Sequence, residues 1–386
     1  MGNTLTGLIP VLYESLDVVS RELTGFIPAV YKNSSAERAA LNESITYPVT
    51  TPSALIDVTP GVTAPDAGDQ VIGNGSMTIS KSKGYPVRWN GEEQKGMLNA
   101  GTYNTLLAQQ FQQAFRTLAN AVELDIAIAA YKGAARAYGT AGTAPFGVSG
   151  DLSDVAQIKK ILDDNGAPGD RRLVLGTTAG ANMRGKQTVL FKVNEAGTEA
   201  MLRAGILGQL SGFGIGESAQ VQSVVKGAGA AYVTSGSTAV GVSDIALVTG
   251  NGIINAGDVV TFAADANNKY VVGTGVSAPG TISLNKPGSQ IIIPTGNALT
   301  VGANYTANIG FAGSAIHLVT RAPAMPVDAN GKALDMADDV MIVTDPVTGL
   351  AFQIAMYRQF QQIMYLVSLA WGVKAVKSNH IVTLMG

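Results

Sequence analysis

The feature that most constrains this chain is one apolar stripe running through residues 102–138. Leu107, Phe111, Phe115, Leu118, Val122, Ile126 and Ala129 recur at helical spacing, while Gln109, Gln110, Gln112, Gln113 and Arg116 occupy the other side. That period predicts a helix with one buried face. At 1.5 Å per residue it spans about 45–50 Å. It reads as a strut, and the rest of the fold must offer it an equally long apolar surface.

The chain has 386 residues, too many for one ordinary core, which predicts two or three domains. Charged residues make up only 14%, against roughly 25% in an average protein. A surface so short of charge is the kind that partners cover. The 46 glycines predict many short strands and turns. A net charge of −2 supplies no basic excess to displace counterions from phosphates, so tight nucleic-acid binding is not expected. The absence of cysteine excludes disulfides, thiolate metal sites and thiol nucleophiles. No basic segment leads into an apolar run at the start, so no secretory signal is expected. No apolar run is long enough to predict a membrane-spanning helix.

Around the strut the chain divides into a series. Residues 1–67 read as an N-terminal arm, helix-rich over 5–32 (Leu12, Leu16, Val19, Leu23) and extended over 39–67. Residues 68–97 read as a two-stranded ribbon: Met77, Ile79, Lys81 and Lys83 run out, Gly84 turns, and Val87 and Trp89 return. An isolated pair of strands is marginal in water, so the ribbon needs another surface to lie on. Lys81, Lys83, Arg88, Glu92 and Glu93 are therefore its candidate intersubunit contacts. Residues 98–150 hold the strut and a Gly-rich loop or hinge at 139–150. Residues 151–219 are mixed, with a helix carrying Leu152, Val155, Ile158, Ile161 and Leu162 and capped near Asp151 or Ser153, a strand at Arg172–Thr177 and a short helix at Ala179–Arg184.

Residues 220–312 change character. They carry six charged side chains and repeated β-branched runs, the pattern of an inserted all-β, barrel-like domain. Its strand candidates are Val259–Phe262, Tyr270–Val272, Ile282–Leu284 and Ile291–Ile293, with turns at Asn267-Asn268 and Gly296-Asn297. Residues 313–386 return to mixed structure, with strands at Val340–Thr344, Leu350–Tyr357, Ile363–Val373 and Ile381–Leu384. The fold class expected is α+β.

Raw material for catalysis is poor. Gly180 to Lys186 has the spacing of a phosphate-binding loop, but Gln187 stands where magnesium needs Ser or Thr. Gly212, Gly214 and Gly216 do not make the dinucleotide fingerprint. Met1-Gly2 with Thr6, and the triplets at Asn33, Asn42 and Asn304, are short chance matches to modification signals. His317 and His380 stand alone in apolar contexts, and the acidic pairs Glu92-Glu93, Asp163-Asp164 and Asp338-Asp339 are sequence neighbours that do not share a face. No catalytic, cofactor-binding or metal-binding residue is assigned, and no enzyme activity is expected.

The ordered series resembles the Hong Kong 97-type phage capsid fold, with its N-arm, E-loop, P-domain spine helix and A-domain. Particular stretches resemble the coat protein family of the short-tailed Salmonella phages (the gene protein 5 family), whose members carry an insertion domain. These are Arg116, Leu118, Ala119, Asn120, Val122, Glu123 and Leu124 in the strut; Ile79-Ser80-Lys81-Ser82-Lys83-Gly84; Val193-Asn194-Glu195-Ala196-Gly197-Thr198; Gly257-Asp258 with Phe262; and Trp371-Gly372-Val373 with Ala375. The resemblance implies an E-loop at 68–97, a P-domain at 98–150, an A-domain split between 151–219 and 313–386 (the latter with P-domain return strands), and a shortened insertion at 220–312. It implies a major capsid protein forming hexamers and pentamers with a scaffolding protein, a portal protein and a decoration protein. Packaged double-stranded DNA would be touched weakly and without sequence preference, with no membrane involved. The location implied is the virion, after assembly in the bacterial cytoplasm. Some relatives of the broader fold cross-link through a lysine and an asparagine; no such pair is matched here and none is carried over. Two alternatives stay open: an encapsulin-like nanocompartment shell, and a phage tail or adhesin protein.

Overall fold

The computed structural model describes residues 24–50, 60, 72–99, 103–187, 208–328, 330, 334–345 and 348–386. The arm helix expected before residue 24 and the stretch Val193–Thr198 lie outside them. Four α-helices fall within the described residues: α1 (Gly91–Asn99), α2 (Tyr103–Gly133), α3 (Ser153–Asp164) and α4 (Thr177–Lys186).

The strut is α2. Leu107, Phe111, Phe115, Leu118, Val122 and Ile126 are buried along it, joined by Ala114, Ala119, Ala127 and Ala130, whose small side chains let the helix lie close to a sheet. It ends at Gly133, five residues before the expected limit. Residues Arg136–Tyr138 are instead a strand, hydrogen-bonded in parallel to Ile381–Met385 and antiparallel to Asp265–Thr274. Neighbours distant in sequence claim that backbone, and a periodicity argument cannot see them. Towards the N-terminus, residues 26–30 make one turn and Tyr31–Ala39 is a strand, so the helix expected through residue 32 does not reach there.

The helix packs on a six-stranded sheet whose axis is Gln362–Ala375. One flank of that strand is Lys81–Asn90, in register from Trp371↔Lys81 to Gln362↔Asn90. Along the other flank lie Ala351–Gln359 and Ile316–Pro323. The outer strands are Asp339–Thr344 and Tyr31–Ala39. Aromatic rings bind helix to sheet: Phe111 meets Tyr365 at 5.7 Å and Phe115 meets Phe352 at 5.1 Å between centroids. Each fully buried ring of this kind contributes about 1.5–3 kcal/mol.

This sheet corrects the expected ribbon. Lys81–Asn90 is one continuous strand of the body and does not turn at Gly84. That residue pairs with Ser368, and a Cβ there would stand 2.9 Å from Leu366 Cδ1. Glycine is used here for close packing. The ribbon is instead Ser44–Thr50 against Ile72–Thr78, in register from Ser44↔Thr78 to Thr50↔Ile72. Residues 91–97, expected to end the ribbon, belong to α1.

A second, larger sheet carries residues 171–175, 213–217, 305–312 and 381–385 and extends through Arg136–Tyr138 into residues 230–301. There six strands close on themselves in the order Val259–Phe262, Ala298–Val301, Ala230–Thr234, Asp244–Asn251, Thr281–Leu284, Asp265–Thr274 and back to Val259–Phe262. Tyr232, Ile245, Phe262, Tyr270 and Ile282 fill this ring, and their cluster is separate from the one under α2. Asn267-Asn268 lie inside a strand, and the turn falls at Ala263-Ala264. Ile291–Ile293 supplies a single bridge, Ile293 to Thr238.

The Gly-rich stretch 139–150 is a loop, the first of the two readings, and it is pinned to the body. Phe146 is buried in a third cluster with Val155, Ile158 and Leu162 of α3. Its N–H donates to Asp154 Oδ2 at 2.9 Å, and its carbonyl accepts from Gln187 Nε2 at 3.3 Å. Neither expected cap of α3 makes the cap bond: Leu152 occupies the N-cap, and Asp151 accepts from the Ser153 N–H.

Candidate functional site

The five charged residues singled out from sequence do not converge. Lys81 and Lys83 alternate on one face of Lys81–Asn90 and Arg88 lies on the other, while Glu92 and Glu93 open α1. Lys81 is engaged within the chain, donating to Asp125 Oδ1 at 2.6 Å. Glu93 is engaged too. Its N–H donates to Asn90 Oδ1 at 2.7 Å and its carboxylate accepts the Asn90 N–H at 3.2 Å, the reciprocal capping box that starts α1. Lys83, Arg88 and Glu92 are exposed, and Arg88 lies 3.9 Å from Met364 Sδ. None of the five stands on the ribbon.

Two carboxylates of α2 that sequence reading passed over organise the body. Asp125 also accepts from Trp371 Nε1 at 2.7 Å, so one side chain ties the flank strand, the helix and the axial strand. Glu123 is buried and accepts the backbone N–H groups of Phe26 and Ile27 at 2.7 and 2.9 Å. Burial pushes its carboxyl pKa up, against the lowering effect of those donors. The available signal was helical position: Glu123 follows Val122 and precedes Ile126 by three, which puts it on the apolar face.

The ribbon is the least supported element. Among the described residues its two strands form a sheet of their own. Met77 and Ile79 anchor its root against Ala39, Val319 and Ala370, and Lys374 Nζ donates to the Ser76 carbonyl at 2.7 Å. Ile45 and Tyr47 are half-buried against that cluster, and Ile72 beyond them is 64% exposed. His317 packs beneath it, its ring 4.7 Å from Tyr31 and 5.4 Å from Tyr47, and burial lowers its pKa. His380 is buried as well.

The apparent phosphate loop lies within α4, where Gly180 makes room for the Glu217 carboxylate, itself paired with Arg184. A cavity of about 460 Å³ lies beside the start of α4. Asn308 on its wall is already engaged, accepting from the Gly176 N–H and donating to the Leu384 carbonyl. Among the described residues, no three His, Asp or Glu side chains are placed to hold a metal, and no helix is long and apolar enough to cross a membrane.

No protein-family model matches the sequence. No curated protein matches it either. Among solved structures the chain is similar to a chain of Mycobacterium phage Che8, at 13% identity over 89% of this chain and 84% of that one, with a TM-score of 0.43. It is similar to a chain in the capsid structure of cyanophage P-SCSP1u, at 12% identity over 92% and 86%, with a TM-score of 0.48. A chain in the capsid of Myoviridae phage XM1 is similar at 11% identity over 95% and 92%, with a TM-score of 0.45.

Proposed function

We propose that this chain is the major capsid protein of a tailed double-stranded DNA bacteriophage, a structural subunit that assembles into an icosahedral shell. The observation that carries the reading is the ribbon Ser44–Thr50/Ile72–Thr78. Its two strands pair only with each other among the described residues, and its packing on the body is confined to Met77, Ile45 and Tyr47. Two strands alone do not hold their shape in water, so a neighbouring copy is the surface the ribbon lies on. The helix-backed sheet beside it is the stiff plate that a shell requires.

On this reading the ribbon is the E-loop, α2 the spine helix, and residues 230–301 an insertion domain like that of the short-tailed Salmonella phage coat proteins. Copies meet in hexamers and pentamers. Lys83, Arg88 and Glu92 are rim charges at those contacts. A scaffolding protein, a portal and a decoration protein are the expected partners. Many modest contacts summed over the shell supply its strength, and a near-neutral wall lets packaged DNA slide.

Electron microscopy and sedimentation of the full chain, alone and co-expressed with a scaffolding protein, test the proposal. Closed shells are expected. A chain that stays monomeric under both conditions overturns it.

A further inference from the structure

His317 stands where three parts of the chain meet. Its strand, Ile316–Pro323, pairs it with Tyr31 on one side and Lys374 on the other. The Tyr31 ring lies 4.7 Å from the imidazole, and the Tyr47 ring, which the ribbon supplies, lies 5.4 Å from it. Tyr47 lies over its own cross-strand partner, Gly75, where a Cβ would stand 2.3 Å from Tyr47 Cζ. Only glycine leaves the ring that place. The other anchors of the ribbon are Ile45 and Met77, packed with Ala39, Val319 and Ala370, and the Ser76 carbonyl, which accepts from Lys374 Nζ at 2.7 Å. The imidazole is thus one of a few points by which the body holds the ribbon.

The surroundings of that ring oppose a charge on it. It is half-buried and bonded to the Ser314 backbone. The edge strand offers it Tyr31 and the ribbon Tyr47. Arg321, on the same face of its own strand, is engaged by Asn33. The charged groups that face it are Lys374, directly across the sheet, and Lys377, from the loop that follows. Both are cations, so a proton on His317 brings a further positive charge to the patch. Burial holds the His317 pKa below the ordinary value, with Lys377 acting in the same sense, against the pull of the Ser314 bond. The attraction of a cation to the two tyrosine faces is too small to reverse this.

We propose that His317 is a proton-operated latch for the ribbon: its neutral ring seats Tyr47 on the body, and its charged ring releases it. A group that is harder to protonate when the ribbon is seated holds it fully above the ordinary histidine pKa of about 6.5, and progressively less as pH falls below that value. One proton limits the response to about ten-fold per pH unit. Release acts on the ribbon and leaves the barrel untouched, because His317 and its neighbours lie in the six-stranded sheet. The latch belongs to the single chain and does not depend on the shell-forming reading.

The absence of native cysteine allows a clean distance measurement. Thr46 on the ribbon and Lys95 on α1 are exposed, and a full-length chain carrying Thr46→Cys and Lys95→Cys takes a spin label at each. One narrow distance is expected at about pH 7.5, and a several-fold larger broad population at about pH 5.5. With His317→Phe added, which keeps a ring and takes no proton, the narrow distance is expected at both pH values. His380→Gln is expected to respond as the parent does. A parent distance that does not change with pH, or a His317→Phe chain that broadens as the parent does, overturns the latch. If His317→Phe does not fold, titration of the His317 ring by NMR decides: Tyr47→Ala uncovers the imidazole and is expected to move its pKa up towards the ordinary value. An unchanged His317 pKa in Tyr47→Ala overturns the latch as well.

Discussion

The ribbon and the barrel are both made of short strands, and they treat their edges in opposite ways. In the barrel, Val259–Phe262 bonds to Asp265–Thr274 on one side and Ala298–Val301 on the other, and the ring closes over Tyr232, Phe262 and Tyr270. Closure removes free edges and gives the module a core of its own. In the ribbon, the outer edges of Ser44–Thr50 and Ile72–Thr78 meet no strand among the described residues, and burial is confined to the root. The barrel holds itself together. The same β grammar yields a closed ring around its own buried cluster or an open pair of strands, according to whether the edges close.

The largest expected effect falls on the barrel. Phe262→Ala empties a fully buried site and should cost about 3–5 kcal/mol, read by chemical denaturation as early loss of the barrel with the α2 sheet still folded. A loss confined to the α2 sheet would break the contrast. Next comes the point where the chain re-enters the body after the ribbon. Asp125→Ala leaves the Trp371 indole N–H without its acceptor and frees Lys81. It should cost about 1–3 kcal/mol, with hydrogen exchange faster in Lys81–Asn90 and unchanged in the barrel.

A third test is the pH dependence of the body that both regions share. Burial raises the Glu123 pKa in the folded state, so its stabilising contribution is full below the ordinary glutamate pKa and is lost as pH rises through the raised value. The stability advantage of wild type over Glu123→Gln should therefore shrink as pH rises above the ordinary glutamate pKa of about 4.3, measured by denaturant midpoints. An advantage that grows with pH would reverse the assignment. The smallest effect belongs to the ribbon. Ile72→Ser should change monomer stability by less than about 0.5 kcal/mol, while ribbon amides exchange rapidly in the monomer and slowly in shells. Slow exchange in the monomer would show that the ribbon needs no neighbour.

What was legible in the sequence was what is local. The stripe of α2 needed only its own period, and Val259–Phe262 and Ile381–Leu384 needed only their β-branched runs. What failed was long-range. Nothing near Ile72 announces that its partner is Thr50, and Lys81–Asn90 looks like half a hairpin until its pairing with Gln362–Ala375 is known. Gly84 was read by its commonest use, a turn, when its missing side chain makes room for Leu366. The charged candidates followed that misplaced ribbon onto the body.

The barrel leaves and rejoins the body through one doorway, where Ser223-Val224 pairs with Thr306 and Tyr305. A module held there alone would swing like a pendant. A second grip prevents this: Lys269 and Tyr270 pair with Ala137 and Arg136, and Asn285 Nδ2 donates to the carbonyls of Lys132 and Ala134, each at 2.7 Å. Those residues sit at the C-terminal end of α2 or just beyond it. The module is therefore a handle on a lever roughly 45 Å long, and a force applied to it is delivered to the far end of the plate as tilt.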